Sequence, residues 1–383
     1  MKILFDHQAF LAEYNGISNC FAQLIRHLPD DVRWEIGVVD SENHHLKENH
    51  LTAVRPYRLR RKNFIREGHF PGKGHLYDLY RRWFPLRTSE GVNEAYTMML
   101  LEKGDIDIFH ATFYEPYFLN RLNGTPLVIT IHDMNYEKQG KHNAANEWKK
   151  LLATKASHIV CVSEATKEDV KDMLHVPEDK MTVIYHGGPD VTGQSREPLF
   201  SFPYLLYVGS RNNYKNFWTM MTSIKPVLQQ QPDLHVVCTG TDFSVAEHAR
   251  FKEMGVDDRM VFHHFHNRDL TSLYGHARCF IYPSLQEGFG IPILEAYAAG
   301  CPVLLNRTTC FPEIAQDAAV FFDLYDGQDN LTTTLADFMT WTPQQREDLL
   351  ERQRQRLACF SWEKSALELK KVYERVLAEH SKH

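Results

Sequence analysis

The chain has 383 residues, 43% of them hydrophobic and 24% charged, with a net charge of −6. That length exceeds what one core comfortably holds and is natural for two domains, and the composition excludes a disordered or collagen-like chain. The acidic balance gives no global reason to expect nucleic acid. No apolar run approaches the roughly 18 residues of a membrane helix, and the seven scattered cysteines, none in C-x-x-C, read as reduced, mostly buried thiols of a cytosolic protein.

Met1-Lys2-Ile3-Leu4-Phe5-Asp6 reads as a short first strand and not as a signal peptide. The polar loop from Glu13 to Ser18 leads into a helix with apolar residues at Phe21, Leu24, Ile25 and Leu28, a strand–loop–helix unit of Rossmann type. This loop lacks G-x-G-x-x-G, and Gly16 by itself reads as a turn glycine. Trp34 to Val39 follows as a second strand.

Residues 55–87 change character. They hold Arg55, Arg58, Arg60, Arg61, Lys62, Arg66, Lys73, Arg81, Arg82 and Arg87 against Glu67 and Asp78, interleaved with Tyr57, Phe64, Phe70, Tyr77, Tyr80, Trp83 and Phe84. Such a mixture suits an anionic membrane surface or nucleic acid, and equally a solvated insertion whose aromatic stripe packs on the core. With a net acidic chain, the nucleic-acid reading ranks last.

Asp105 and Asp107 form a D-x-D at the start of a strand that runs to His110, and are read as strand-start acids rather than metal ligands. Pro126 to Asp133 is a buried, parallel-type strand that ends in His-Asp. Ligands of parallel sheets sit outside the carboxyl ends of the strands, which singles out His132. A helix from Trp148 to Ala156, a strand from Ile159 to Ser163, a helix capped by Ser163 and a strand from Met181 follow. The polar Pro189–Pro198 stretch reads as a linker.

The second half opens on the strand Tyr204–Val208, then Gly209, Arg211 and Lys215, then a helix through Phe217, Met220, Met221, Ile224, Val227 and Leu228. A strand end, a glycine, a guanidinium fork and an ammonium before a helix make anion chemistry. A strand at Met260 to Phe265 carries His263 and His264. With His266 they offer imidazoles, but alternation puts His264 and His266 on one face only if the strand continues, and Asp269 already starts a helix, so a metal is not favoured.

Residues 282–305 are the most informative stretch: Y-P-S-L-Q-E-G-F-G-I-P-I-L-E-A-Y-A-A-G-C-P-V-L-L. Cys279 to Tyr282 is a strand, Glu287-Gly288-Phe289-Gly290 a glycine loop, Pro292 sits in a first helical turn, Gly300 ends the helix, and Pro302 to Leu305 is the next strand. The loop and the positive helix end make an anion site. Glu287 and Glu295, eight positions apart, flank it. Carboxylates beside an anion site suit hydroxyls next to a phosphate, as in a sugar nucleotide.

The pattern E-G-F-G-x-P-x-x-E-A-x-A-x-G-x-P-V resembles the signature of retaining GT-B glycosyltransferases, specifically glycosyltransferase family 4, in which two glutamates are separated by seven residues. V-G-S-R-x-x-x-K-N and T-I-H-D resemble further segments of that family, and the likeness covers nearly the whole chain, thinning only over 40–105. It implies an α/β fold of two Rossmann-like domains whose parallel sheets face across a cleft. Residues 1–190 would form an acceptor domain onto which 362–383 packs back, and 198–361 a donor domain. It implies that Arg211 and Lys215 bind the donor diphosphate, with Gly288, Phe289, Gly290 and Ile291 offering N–H groups. Glu295 would bind ribose hydroxyls, and Glu287 and His132 the transferred sugar. The Gly16 loop would approach the phosphates, and His264 or Phe265 the nucleobase. No metal or other cofactor is expected.

T-I-H-D with E-G-F-G-I-P looks most like mannosyl- and related transferases of bacterial surface-polysaccharide synthesis. The expected donor is therefore GDP-mannose, with other GDP- or UDP-sugars open, and the acceptor a glycan or a lipid-linked saccharide. The chain would be cytoplasmic, peripheral at the inner membrane face if 55–87 is a membrane contact. Two alternatives stay open: a non-catalytic sugar-nucleotide-binding scaffold, and an epimerase or phosphorylase on the same fold.

Overall fold

Short apolar runs that alternate with amphipathic helices leave a parallel sheet little choice but to be covered on both faces. The computed structural model has this arrangement twice. It describes the chain except residues 53–57, 62, 66–69, 142, 193, 196, 212, 265–268, 326 and 382–383. The chain divides into two compact units, Met1–His186 with Trp362–His383, and Gly187–Ser361.

The first unit holds β1 (Lys2–Phe5), β2 (Arg33–Ile36), β3 (Ile108–Ala111), β4 (Leu127–Ile131), β5 (His158–Cys161) and β6 (Met181–Val183). They form one sheet in the order β2-β1-β3-β4-β5-β6, every neighbour parallel. Side chains alternate between two apolar layers, as the period of a strand requires. Ile3, Phe5, Ile108 and Val128 enter one layer, with Phe21 and Ile25 and with Ala366, Leu369, Val372, Tyr373 and Val376 of the final helix, Trp362–His380. Leu4, Phe109, Leu127, Ile129 and Ile131 enter the other, with Leu152 and Val170.

Local chemistry explains several boundaries. Asp105 and Asp107 lie just before β3 and are spent on Lys2: Asp105 Oδ2 accepts from its Nζ and Asp107 Oδ2 from its backbone N–H, both at 2.7 Å. Ser163 caps the Glu164–Leu174 helix by accepting from Thr166 N. β2 stops at Ile36, short of the expected Val39, where the backbone turns to side-chain partners: Gly37 O accepts from Thr97 Oγ1, and the Val39 and Asp40 N–H groups donate to Asn93 Oδ1.

The basic aromatic segment splits. Tyr77 and Phe64 are buried against each other, with ring centroids 5.4 Å apart, while Trp83, Phe84, Leu76, Leu79 and Leu86 are exposed. Arg55, Tyr57, Lys62, Arg66 and Glu67 of that segment lie outside the described residues.

The second unit holds β7 (Tyr204–Tyr207), β8 (His235–Cys238), β9 (Met260–Phe262), β10 (Cys279–Tyr282), β11 (Val303–Asn306) and β12 (Val320–Phe322), in the order β12-β11-β10-β7-β8-β9 and again all parallel. Its core gathers Leu205, Tyr207, Phe217, Met221, Ile224, Val236, Ile281 and Leu304. β9 ends at Phe262, earlier than the expected 265. The stretch 189–198 belongs to this unit: Gln194 Oε1 accepts from the Thr271 N–H and hydroxyl, and Ser195 O from Ser272 Oγ.

Candidate active site

In the second sheet the chain leaves β7 toward β8 and later returns to β10 on the other side of β7. The strand order reverses there, and open parallel sheets bind ligands outside the strand ends at such a point. The two loops that emerge side by side are those of Arg211–Lys215 and Pro283–Gly290. Leu285 N donates to Tyr214 O at 2.8 Å and ties one to the other.

Lys215 Nζ donates to Glu287 Oε1 at 2.6 Å, with both side chains largely buried. The ammonium also lies 5.5 Å from the centre of the Tyr282 ring. The Glu287 backbone is fixed in turn: its N–H donates to Thr309 Oγ1 at 3.3 Å and its carbonyl accepts from Cys310 Sγ. Gly290 precedes the Ile291–Ala299 helix at φ +90°, a conformation that favours glycine, and a Cβ there would press on Ile293 and Phe311 at 3.0 Å. The helix N-terminus has no side-chain cap, so its positive end faces the loop. Phe289 packs its ring edge-on against Phe360 at 5.9 Å, which leaves its backbone rather than its ring for any anion.

Glu295 is half-buried and accepts from Tyr274 Oη at 2.8 Å. Burial raises its carboxyl above the ordinary value, and the Tyr274 hydrogen bond draws it partly back. Arg211 has partners of its own. Its Nε donates to Glu247 Oε1 at 2.5 Å and its Nη2 to the carbonyls of Thr241 and Asp242 at 2.8 and 3.1 Å, while Nη1 is buried without a partner. Burial would raise the Glu247 carboxyl, but the Arg211 hydrogen bond and the Ser244 N–H and hydroxyl overcome it and hold it at about 2. Glu247 and Tyr274 were not singled out from the sequence. The only sequence sign of Glu247 is the Ser244-x-x-Glu247 capping box that it completes.

In the first unit the strand order reverses between β1 and β3, and β4 lies next to β3. His132 follows β4. Its N–H donates to Tyr114 Oη at 3.4 Å, and its ring meets Phe21 edge-on at 5.8 Å and stacks with His186 at 6.0 Å. Nε2 is buried with no hydrogen-bond partner. Burial, with Lys149 adding and Asp133 opposing, lowers the imidazole to about 4, so the ring is neutral near pH 7. Gly16 is the first residue of the Gly16–Arg26 helix, whose cap is Asn15 accepting from Ser18 N. It is not among the positive-φ residues, so it is no left-handed turn glycine. Among the described residues, Cys20, His132 and His186 offer metal-type ligand atoms within 4.8 Å of one another. His263 lies 3.5 Å from Asp269, and Phe265 and His266 lie outside the described residues.

Comparison with known proteins matches both halves. A family model described as Glycosyltransferase Family 4 covers residues 14–189, and one described as Glycosyl transferases group 1 covers 196–356. The O-antigen chain mannosyltransferase RfbU of Salmonella typhimurium is 27% identical over 176 residues, 45% of this chain and 48% of that protein. The chain thus spans about half the length of the curated relatives it matches. Among solved structures, sucrose-phosphate synthase from Thermosynechococcus elongatus superposes with a TM-score of 0.72 at 15% identity, covering 99% of this chain and 100% of that one. Anabaena HepE in complex with UDP and glucose superposes with a TM-score of 0.70 at 14% identity, covering 98% and 99%. With both halves matched and two six-stranded parallel sheets in place, the chain belongs to the GT-B glycosyltransferases of family 4.

Proposed function

We propose that the protein is a retaining glycosyltransferase that moves a sugar, mannose in the reading best supported, from a nucleotide diphosphate to a glycan or lipid-linked acceptor in surface-polysaccharide assembly, with no metal in the chemistry. The observation that carries this is the Lys215–Glu287 pair at the strand reversal, in the loops that lead to an uncapped helix N-terminus, on a helix whose fifth residue is Glu295. The leaving group is a diphosphate, so catalysis mainly stabilises charge as the bond between the anomeric carbon and the phosphate oxygen breaks. Lys215 and the helix N-terminus are assigned that charge, with Arg211 Nη1 as a further donor. The electron pair leaves with the phosphate. The acceptor oxygen bonds to the anomeric carbon on the same face, and its proton passes to the departing phosphate oxygen. Glu287 is assigned the hydroxyls of the transferred sugar, Glu295 those of the ribose, and His132 a hydroxyl of the sugar.

Mannose is favoured because RfbU is named an O-antigen chain mannosyltransferase. A UDP donor stays open because HepE was solved with UDP and glucose. A thermal-shift screen of GDP- and UDP-sugars, followed by acceptor-dependent nucleotide release, tests the assignment, since a ligand of the native state raises the melting temperature. A sugar nucleotide that binds but is never turned over across an acceptor panel would favour the scaffold reading instead.

The same proposal places the chain peripherally at the cytoplasmic face of a membrane. No helix among the described residues is long and apolar enough to cross one. The Lys73–Trp83 helix, however, exposes Leu76, Leu79 and Trp83 at spacings of three and four, with Phe84 and Leu86 beyond its end. Trp83 is 73% exposed. Among the described residues, Arg61, Arg82 and Arg87 are exposed around this stripe, with Asp78 as an exposed acid on the helix. Apolar anchors among cations in a net acidic chain suit an anionic lipid surface that presents a lipid-linked acceptor.

A further inference from the structure

Three elements of the first unit bring together side chains that share a chemistry. Cys20 comes from the Gly16–Arg26 helix, His132 from the end of β4, and His186 from the segment after β6. Cys20 Sγ and His186 Nδ1 are 3.2 Å apart, and one ligand atom from each of the three lies within 4.8 Å of the others. Phe21 and Trp362 pack their rings against His132 and His186. Within this apolar shell His132 Nε2 has no hydrogen-bond partner, a situation that buried polar atoms ordinarily avoid.

A thiol with two imidazoles is a soft ligand set. It selects zinc-type cations and discriminates against magnesium, calcium and manganese, which want oxygen. Zinc bonds of about 2.3 Å to sulfur and 2.0 Å to nitrogen put tetrahedral ligands about 3.3 to 3.6 Å apart. The Cys20–His186 separation is already of that order, and closing the 4.8 Å limit asks for a shift of about an ångström, within reach of a rotamer adjustment. We propose that Cys20, His132 and His186 form a binding site for a soft divalent cation such as Zn²⁺, with one coordination position left for water or an anion.

Both imidazoles are held neutral by burial, His132 at about 4 and His186 at about 3, so neither has a proton to lose to the metal. Burial also raises the Cys20 thiol, which is protonated in the metal-free protein. Cation binding therefore releases one proton to solvent as the thiolate forms, with no change of oxidation state. A second consequence rests on the transferase reading of His132: a cation on Nε2 takes the ring from the sugar, and transfer is inhibited reversibly.

The test uses the full chain, stripped with EDTA, in a Cys359→Ser background because Cys359 is the exposed thiol. Titration with Co²⁺ is followed by the near-ultraviolet thiolate-to-cobalt band and the visible d–d bands. One equivalent is expected to give both, zinc to bleach them, Cys20→Ser to lose the thiolate band, and His186→Asn to weaken binding at least about tenfold. Circular dichroism checks that both variants fold. A folded wild type with no Cys20-dependent band overturns the site. Zn²⁺ should then inhibit acceptor-dependent nucleotide release, EDTA should restore it, and Cys20→Ser should resist inhibition. A Cys20-dependent band without inhibition of an active enzyme overturns the regulatory step alone. The same band in a protein with no transfer under any condition keeps the site and overturns the transferase reading.

Discussion

Replacing Lys215 by alanine tests the donor site most directly. In the free protein its ammonium sits 2.6 Å from Glu287 Oε1, with the side chains 15% and 12% exposed. Removing the cation leaves a mostly buried carboxylate without its partner, which costs about 1–3 kcal/mol of stability. It also leaves a negative charge beside the place assigned to a diphosphate. Loss of one charge-stabilising donor typically lowers kcat about 10²- to 10³-fold, and the added repulsion pushes the expectation to the upper end. Urea melts and nucleotide release at saturating donor and acceptor separate the two effects. In the double variant Lys215→Ala/Glu287→Gln, stability should return to within about 1 kcal/mol of wild type, because the uncompensated charge is gone, while transfer stays lost. Transfer within about twofold of wild type in folded Lys215→Ala would refute the assignment. Recovery of transfer in the double variant would also refute it, because Lys215 would then be no more than a counter-ion for Glu287.

Three further outcomes are expected. Glu247→Gln removes the carboxylate that holds Arg211 Nε; the donor KM should rise about tenfold, the worth of one charge-assisted hydrogen bond, with kcat nearly unchanged, and a tighter donor would mean that Glu247 restrains Arg211 instead. Leu79→Glu combined with Trp83→Ala should abolish co-sedimentation with vesicles rich in phosphatidylglycerol while leaving transfer to a soluble acceptor intact, and unchanged sedimentation would remove the membrane reading. Acid should unfold the first unit early: burial lowers His7 to about 3, His110 to about 3 and His158 to about 4, so the unfolded chain binds more protons than the native one below about pH 6.5. Their contribution is complete above that pH and is lost as pH falls toward 4, at up to about 1.4 kcal/mol per unit for each group. Asp6, raised to about 6 by burial, and Asp169, raised for the same reason, work the other way in the same window, but His45, His132 and His186 of this unit are lowered as well and keep the balance with the histidines. Chemical melts between pH 7 and 4.5 that show no loss of stability would contradict this.

Much of the fold was legible because parallel sheets are written in continuous apolar runs. Leu127 to Ile131 and Cys279 to Tyr282 are buried along their whole length, and glycine and proline marked the limits of the Ile291–Ala299 helix where Gly290 and Gly300 take positive φ. Boundaries set by tertiary contact were not legible, as at Gly37, where Thr97 lies against the backbone. The donor site divides in the same way. Arg211, Lys215, Glu287 and Glu295 stand in local patterns, and their types already state the chemistry. What each touches depends on which loops the topology sets side by side. Glu247 is 36 residues from Arg211 and Tyr274 is 21 from Glu295, and the capping box accounts for Glu247 locally, so nothing in the sequence marked its second role.

The histidines make the limit of sequence spacing plain. There are 21, and none stands in a close metal-ligand motif, because such motifs register ligands that share one helix or one loop. In the folded chain the first unit uses histidines as neutral bridges instead. His110 joins Thr130 on β4 to Tyr373 of the final helix at 2.9 and 2.6 Å, and His158 reaches Thr182 on β6 at 2.9 Å. Parallel strands deliver their following residues to one edge of the sheet whatever lies between them in the chain. His132 after β4 and His186 after β6 therefore converge there, though 54 residues apart in the chain. Cys20 joins them because its helix follows β1 and covers the same face. If that convergence only fills the core, Cys20→Ala and His186→Asn should change stability and leave Co²⁺ binding as it was. A ligand set built by topology predicts that each substitution removes a bond to the metal.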